Sequence, residues 1–363
     1  MQDFERLHPN ITVKLDVLSP SSTTYLTKLE HDLAPGSSTP DVFASGMSTV
    51  ARLAQAGWVR SLDGFFPVTG EFFSREVAAG TYKGEVYALP WFADPEGLYY
   101  RTDLVKSPPT SAAQVLSDAE RAMKADPGLK EGLAFEGARS EGAVTAYLTV
   151  ASAFGGGLDP RNLDTAGNAA ALSWLREAIY RYHVAPTAVS GWHERQVAQQ
   201  FASGDAAFAI DAPFVEALAT APPVRGHVGF IPFPPGQNGS PGSTFGGEML
   251  AINAKSAHAA AAWKLIKYLT SRNVEVARAE ATGDPPALPS AYTAALYAKA
   301  PYLKAVKALL ADARPRPVTP RYPVISSDLE AMLSRVFSNS APPEKALAKE
   351  APIVRRAAIP PKA

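Results

Sequence analysis

Tyr82-Lys-Gly-Glu-Val-Tyr-Ala-Leu-Pro90 runs into Trp91-Phe-Ala-Asp-Pro-Glu96 and then Gly97-Leu-Tyr-Tyr-Arg-Thr-Asp-Leu104. Val86–Leu89 and Gly97–Tyr100 are short apolar runs, which predict two strands around a loop over Pro90–Glu96. That loop holds two aromatics and two carboxylates between buried segments, where a carboxylate is costly unless something uses it. Working outward, Ile11–Leu18 alternates apolar and polar residues as a half-buried strand does, and Asp41–Ala44 is a short buried strand. Thr24–Leu33 carries apolar residues at helical spacing, and Gly57 stops the helical turn Val50–Ala56. Downstream, Ser111-Ala-Ala-Gln114 is a capping box that opens a helix to about Ala125. Ala206–Ile210, Val228–Ile231 and Met249–Ile252 read as strands; Asn168–Tyr182 and Ala257–Thr270 read as helices. The rest is helical apart from the Pro-rich stretch 315–323, with a loose tail over 351–363. Helices alternating with strands predict α/β lobes with largely parallel sheets.

The 363 residues exceed one ordinary core and suit two domains. Lys+Arg and Asp+Glu balance at 35 each, which argues against nucleic acid and against anionic membrane surfaces. Cysteine is absent, so disulfides, thiolate metal sites and cysteine nucleophiles are excluded. No apolar run reaches the roughly 18 residues of a spanning helix. Met1–Asn10 lacks the basic and apolar regions of a signal peptide.

Several segments, in order, resemble the family 1 extracellular solute-binding proteins of bacterial ABC importers, the group of the maltose- and trehalose-binding proteins. They are Phe4–Val13, Pro40–Phe43 with Leu53–Val59, Tyr82–Pro90 with Leu98–Leu104, Phe201–Ile210, Gly246–Asn253, and Arg316–Tyr322. The resemblance implies a two-lobed periplasmic-binding-protein fold of type II, α/β in class, with the ligand cleft between lobes. Lobe 1 would be 1–104 plus 244–288, and lobe 2 would be 105–243 plus 289–350, with crossings near Asp103–Ser107, Pro241–Phe245 and Pro285–Pro289. The family begins with a strand and most of a helix that this chain lacks ahead of Phe4, so the first lobe is expected to be incomplete or the start internal. The resemblance also implies a monomer that binds sugar without chemistry or cofactor, works with membrane permease subunits, and resides outside the cytoplasm, with a lipid anchor on a longer precursor as one route.

A sugar offers apolar faces and a ring of hydroxyls, so its site needs flat rings and paired polar groups. Asp94 lies at the spacing from Tyr100 of a sugar-binding carboxylate in the maltose-binding relatives, with Trp91 and Glu96 beside it. Gly246-Gly247-Glu248 stands where many relatives have Gly-Gly-Trp, so a carboxylate replaces a stacking ring. Arg316, Arg321 and Tyr322 lie in a Pro-stiffened loop from which an arginine could fork onto hydroxyls or pair across the cleft. Phe214 and Trp192 are candidate stacking rings, Arg139 and Glu141 candidate polar contacts, and Ser45 a candidate backbone contact. Each has a structural alternative: a core ring, a surface charge or a salt bridge.

The 6 histidines form no HExxH motif or close ligand pair. Gly155-Gly-Gly157 lacks the Lys-Ser/Thr of a phosphate loop and reads as a turn after a helix. Two rival functions stay open. Asp94 and Glu248 could be a glycosidase pair. Arg316 with Arg321 could hold a glycerophosphodiester or another non-sugar solute on the same fold.

Overall fold

The structure, a computed structural model, describes residues 1–17, 22–34, 36–65, 71–213, 222–237 and 239–359; for 22–24 and 312 it describes the backbone alone. In chain order the strands are β1 (Val42–Gly46), β2 (Thr81–Tyr82), β3 (Glu85–Val86), β4 (Ala88–Ala93), β5 (Gly97–Arg101), β6 (Glu131–Phe135), β7 (Ala206–Asp211), β8 (Val228–Ile231) and β9 (Gly247–Ile252). They make a 3-stranded sheet of order β1-β9-β4, a 4-stranded sheet of order β6-β7-β5-β8, and the small hairpin β2-β3.

The sheets are not largely parallel. β9 pairs antiparallel with β1 and β4, β5 pairs antiparallel with β7 and β8, and β6 with β7 is the parallel pair. Alternating helices and strands force parallel pairing when each crossover returns to the same sheet. Here the chain leaves the first sheet after β4, builds the second, and re-enters the first as β9 at the same end, Gly247 lying opposite Ala93, so β9 runs antiparallel to β4. β5, expected with the first lobe, is the second strand in from one edge of the second sheet, flanked by β7 and β8. Its five residues and all six of β7 are buried, as a strand covered on both faces must be.

Three chain segments cross between the sheets side by side. Asp94 and Gly246 exchange backbone hydrogen bonds at 3.0 and 3.1 Å, and the Glu96 N–H donates to the Thr244 carbonyl at 3.0 Å. Arg314 donates to Ser243 and Phe245 donates to Arg314, both at 3.0 Å. The crossings therefore fall at 94–96, 243–246 and 314–316, where the sequence pointed to 103–107, 241–245 and 285–289. Residues 286–302 stay with the first sheet: Phe92 bridges to Pro286, and the Tyr302 hydroxyl donates to the Gly283 carbonyl at 2.7 Å.

Each sheet has its own core. Leu89, Leu250, Ile252, Trp263 and Ile266 pack behind the first. Leu133, Phe135, Phe208 and Ile210 pack with the helices Glu141–Ala153, Ala166–Tyr180 and Tyr322–Phe337 around the second. A third cluster, with Tyr99, Phe201, Phe230, Phe43, Met47 and Leu303, joins the two. The helix Ala112–Ala125 starts at the Ser111 N-cap, whose hydroxyl accepts from the Gln114 N–H at 3.2 Å, but the expected box is not closed: the Gln114 side chain accepts from the N–H of Thr110, one residue before the cap, at 2.9 Å.

Two further expectations are overturned. Residues 11–17 pair with no strand, leaving Leu15 66% and Val17 81% exposed, because an alternating pattern makes a strand only where a sheet edge lies alongside it. Residues 351–358 are not loose: the helix Pro343–Ala358 continues through Pro352 and buries Ala351 and Val354 against the second core.

Candidate functional site

A cleft of about 2220 Å³ opens between the sheets and continues as a groove between residues 10–17 and β1. One wall comes from the first sheet: Ser45 at the end of β1, Trp91 on β4, Asp94, the Gly246–Glu248 turn into β9, and Asp284. The other comes from the second: Glu136, Arg139, Glu141, Glu194, Arg316 and Tyr322. Glu96, Thr145 and Thr244 lie at the floor, where the crossing segments run.

Backbone geometry explains the turn into β9. Gly247 has φ +130°, and a Cβ there would meet the Phe92 carbonyl oxygen at 2.2 Å, so glycine is the residue that fits. Glu248 then follows opposite Gly46 and Phe92, carrying its carboxylate to the cleft wall. Its Oε2 is buried with no hydrogen-bond partner among the described residues. Burial pushes its carboxyl up to about 7, although Arg316 pulls the other way. Asp94 Oδ1 is likewise buried and unpartnered. Burial holds its carboxyl well above the usual range, helped by the negative charges of Glu194, Asp284, Glu96 and Glu248. Two unsatisfied carboxylate oxygens at one opening call for hydrogen-bond donors from outside the protein.

Trp91 is half-buried beside Phe92, ring centroids 5.6 Å apart, packs against the core of the first sheet and lines the same cleft as Asp94. Glu96 is already satisfied: the Thr145 and Thr149 hydroxyls donate to it, the second at 3.1 Å. Burial raises its carboxyl to about 7 against those bonds. Ser45 is buried, its hydroxyl 2.5 Å from that of Thr49, so its backbone is what it offers the cleft. On the far wall Glu141 gathers three donors: the Arg316 guanidinium, the Tyr322 hydroxyl at 2.5 Å and the Ser326 hydroxyl. Arg139 lines the same wall and is exposed.

Asp94, Trp91, Glu96, Gly246, Gly247, Glu248, Ser45, Arg139, Glu141, Arg316 and Tyr322 thus meet around one opening. Arg321 does not join them. Its Nε donates to the Ala357 carbonyl at 2.8 Å, near the end of the last helix, because neighbouring residues at a helix start point in different directions. Trp192 is outside the lining too. Its indole packs against the protein core, and its carbonyl accepts from the Gly137 and Ala138 N–H groups. Phe214 lies outside the described residues.

Sequence reasoning missed Glu136, Glu194 and Asp284. A signal for Glu136 was present, since it directly follows the wholly buried β6. The same signal marks Asp211, the last residue of β7, whose carboxyl is also held well above the usual range, first by burial and then by Glu194 and Glu136.

Paired α/β lobes with a cleft between them that is lined by charged side chains and a tryptophan define a receptor for a small solute. The profile described as bacterial extracellular solute-binding protein matches residues 1–276, so the chain belongs to that family, whose members are substrate-binding proteins of ABC transporters and not enzymes. A probable ABC transporter-binding protein of Deinococcus radiodurans is 31% identical over 296 residues, 76% of this chain and 70% of the relative. The maltose-bound MalE3 of T. maritima superposes with a TM-score of 0.92 at 28% identity, over 98% of this chain and 94% of that one. An ABC transporter solute-binding protein of Thermotoga lettingae bound with alpha-D-tagatose gives 0.85 at 25% identity, over 99% and 94%. The glycosidase reading of Asp94 and Glu248 is therefore set aside.

Proposed function

We propose that this protein captures a disaccharide of the maltose or trehalose type for an ABC importer. The observation that carries the reading is the juxtaposition of the Trp91 ring with two buried carboxylate oxygens that lack partners, on Asp94 and Glu248. A sugar supplies what each needs: an apolar face for the ring and hydroxyl donors for the oxygens. An anionic solute such as a glycerophosphodiester fits less well. It asks for converging guanidinium groups, yet Arg316 is engaged by Glu141 and Arg321 points elsewhere. The likeness to the maltose-bound protein of T. maritima supports the sugar class.

In this reading the protein is a monomer outside the cytoplasm. Ligand bridges Asp94 on one lobe and the Glu141–Arg316–Tyr322 cluster on the other, and so favours a closed form that docks on the permease. The lobes divide at the crossing segments 94–96, 243–246 and 314–316. A melting-temperature screen with maltose, trehalose, single sugars and glycerophosphocholine tests it, since a ligand of the native state raises the midpoint by mass action. A saturable rise with a disaccharide, confirmed by calorimetry, is the expected result. A rise with glycerophosphocholine and with no sugar would overturn it.

A further inference from the structure

Behind the Trp91 wall lies a cluster of buried charges that no cleft contact explains. Arg278 sits on the helix Arg272–Thr282, with Glu275 three residues earlier on the same face. Glu76, on the helix Ser74–Ala79, faces them; it and Glu275 are fully buried. Both oxygens of Glu76, Oε1 of Glu275 and all three guanidinium nitrogens of Arg278 lack hydrogen-bond partners among the described residues. The Arg278 side chain, 11% exposed, lies 5.5 Å from the Trp91 ring centroid and 5.1 Å from that of Phe92. Gly283 takes the left-handed conformation and stops the helix, turning Asp284 back until its Oδ2 is 4.0 Å from Arg278 Nε. The chain beyond is pinned to β4: Glu275 Oε2 accepts from the Leu288 N–H at 3.0 Å, and Ala93 donates to the Pro285 carbonyl at 3.2 Å.

We propose that Arg278 is a positioning residue of the ligand cleft: its guanidinium fixes the Trp91–Phe92 rings in place and supplies the positive charge behind Asp94 and Asp284. Removing a guanidinium from water without hydrogen bonds is expensive, so the rings and the surrounding acids must offset that cost. The fields converge on it. Glu275 on its own helix, Asp284, Asp94 and Tyr292 all act on Arg278, and Arg278 opposes the upward push that burial and Glu275 give Glu76. Asp94 also faces Glu194, Glu96 and Glu248, all negative when ionised; Arg316 acts on Glu96 and Glu248, and Arg278 is the cation that meets Asp94 and Asp284 from the first-sheet side. A ring held in place and a cation set behind the acids are two properties of one cleft wall, and one side chain sets both.

The inference rests on the sugar-cleft reading for its purpose, but its test needs no ligand. The protein is labelled with 5-fluorotryptophan, and the fluorine line of Trp91 is identified among the 5 tryptophans by a W91F variant. In Arg278→Met the Trp91 line is expected to move while those of Trp58, Trp174 and Trp263 stay. The pH midpoint that this line follows is expected to rise, because loss of a cation favours the protonated acids. Arg278→Lys, which keeps the charge and loses the planar face, restores the midpoint and not the line position. The triple variant E76Q/E275Q/R278M covers the case in which unbalanced acids unfold the single variant. Maltose affinity is expected to fall about tenfold in Arg278→Met. An unmoved Trp91 line with an unchanged midpoint overturns the proposal. Maltose failing to bind the unaltered protein fails the sugar reading alone and leaves the fluorine result to decide this one.

Discussion

The Arg316 guanidinium is ion-paired with the Glu141 carboxylate, tying the third crossing segment to the first turn of the helix Glu141–Ala153. The two side chains are 9% and 21% exposed, so the pair is sheltered from solvent screening. Glu141→Ala leaves Arg316, Tyr322 and Ser326 without their shared acceptor. Urea unfolding is expected to show a loss of about 3–5 kcal/mol, the cost of stranding a buried charge. Arg316→Met should cost less, because Glu141 keeps its two hydroxyl donors.

Ligand capture should depend on Asp94 and Trp91. Asp94→Ala is expected to weaken maltose binding by about 1–3 kcal/mol by leaving sugar hydroxyls unpaired. Trp91→Ala should weaken it by a comparable amount through loss of the ring face. Calorimetry that returns unchanged affinity for both variants would remove them from the site.

Without ligand, stability should fall as pH rises through the neutral range. Glu96 and Glu248 have carboxyls raised by burial from 4.5 to about 7. Between those values the folded chain binds more protons than the unfolded one, so their contribution is complete below 4.5 and lost as pH rises through about 7. Melting temperatures at closely spaced pH values check this. Glu248→Gln should flatten the slope; an identical slope would show that Glu248 does not titrate there.

Arg321 and Tyr322, adjacent in sequence, should behave differently. Arg321→Ala removes a bond to the Ala357 carbonyl and should leave sugar affinity unchanged. Tyr322→Phe removes a donor from Glu141 and should weaken binding or stability by about 1 kcal/mol. Parallel calorimetry and denaturation of the two variants separate the effects.

Thr149 Oγ1 accepts from the Thr244 N–H and donates to Glu96 Oε2, both at 3.1 Å, stitching two crossing segments to one helix. Thr149→Val leaves both groups short of a buried partner. A loss of about 1–3 kcal/mol in chemical denaturation is expected.

Much of this was legible in the residues, and the failures have physical causes. The Ser111 helix start, the apolar run of β7 and the two-lobed class are local or cumulative signals. Strand direction is neither, so the sheets were expected to be largely parallel, and β5 was placed with the first lobe. The loop expected over Pro90–Glu96 is mostly strand: β4 runs to Ala93, because Pro90 and Trp91 sit where a bulge in the pairing with β9 tolerates them. Asp94 and Glu248 stood out as carboxylates against apolar runs. Arg321 was misplaced because adjacency says nothing about which way a helix-start side chain turns. Arg278 was invisible, since an arginine on a helix has no pattern that marks it as the one turned inward.

The tripeptide Asp94–Glu96 is all that separates β4 from β5. Recognition and articulation are written into the same three positions. A change there made to alter which solute is favoured also alters the resting angle between the halves, so a redesigned receptor or biosensor built on this chain would have its selectivity and its range of motion retuned together.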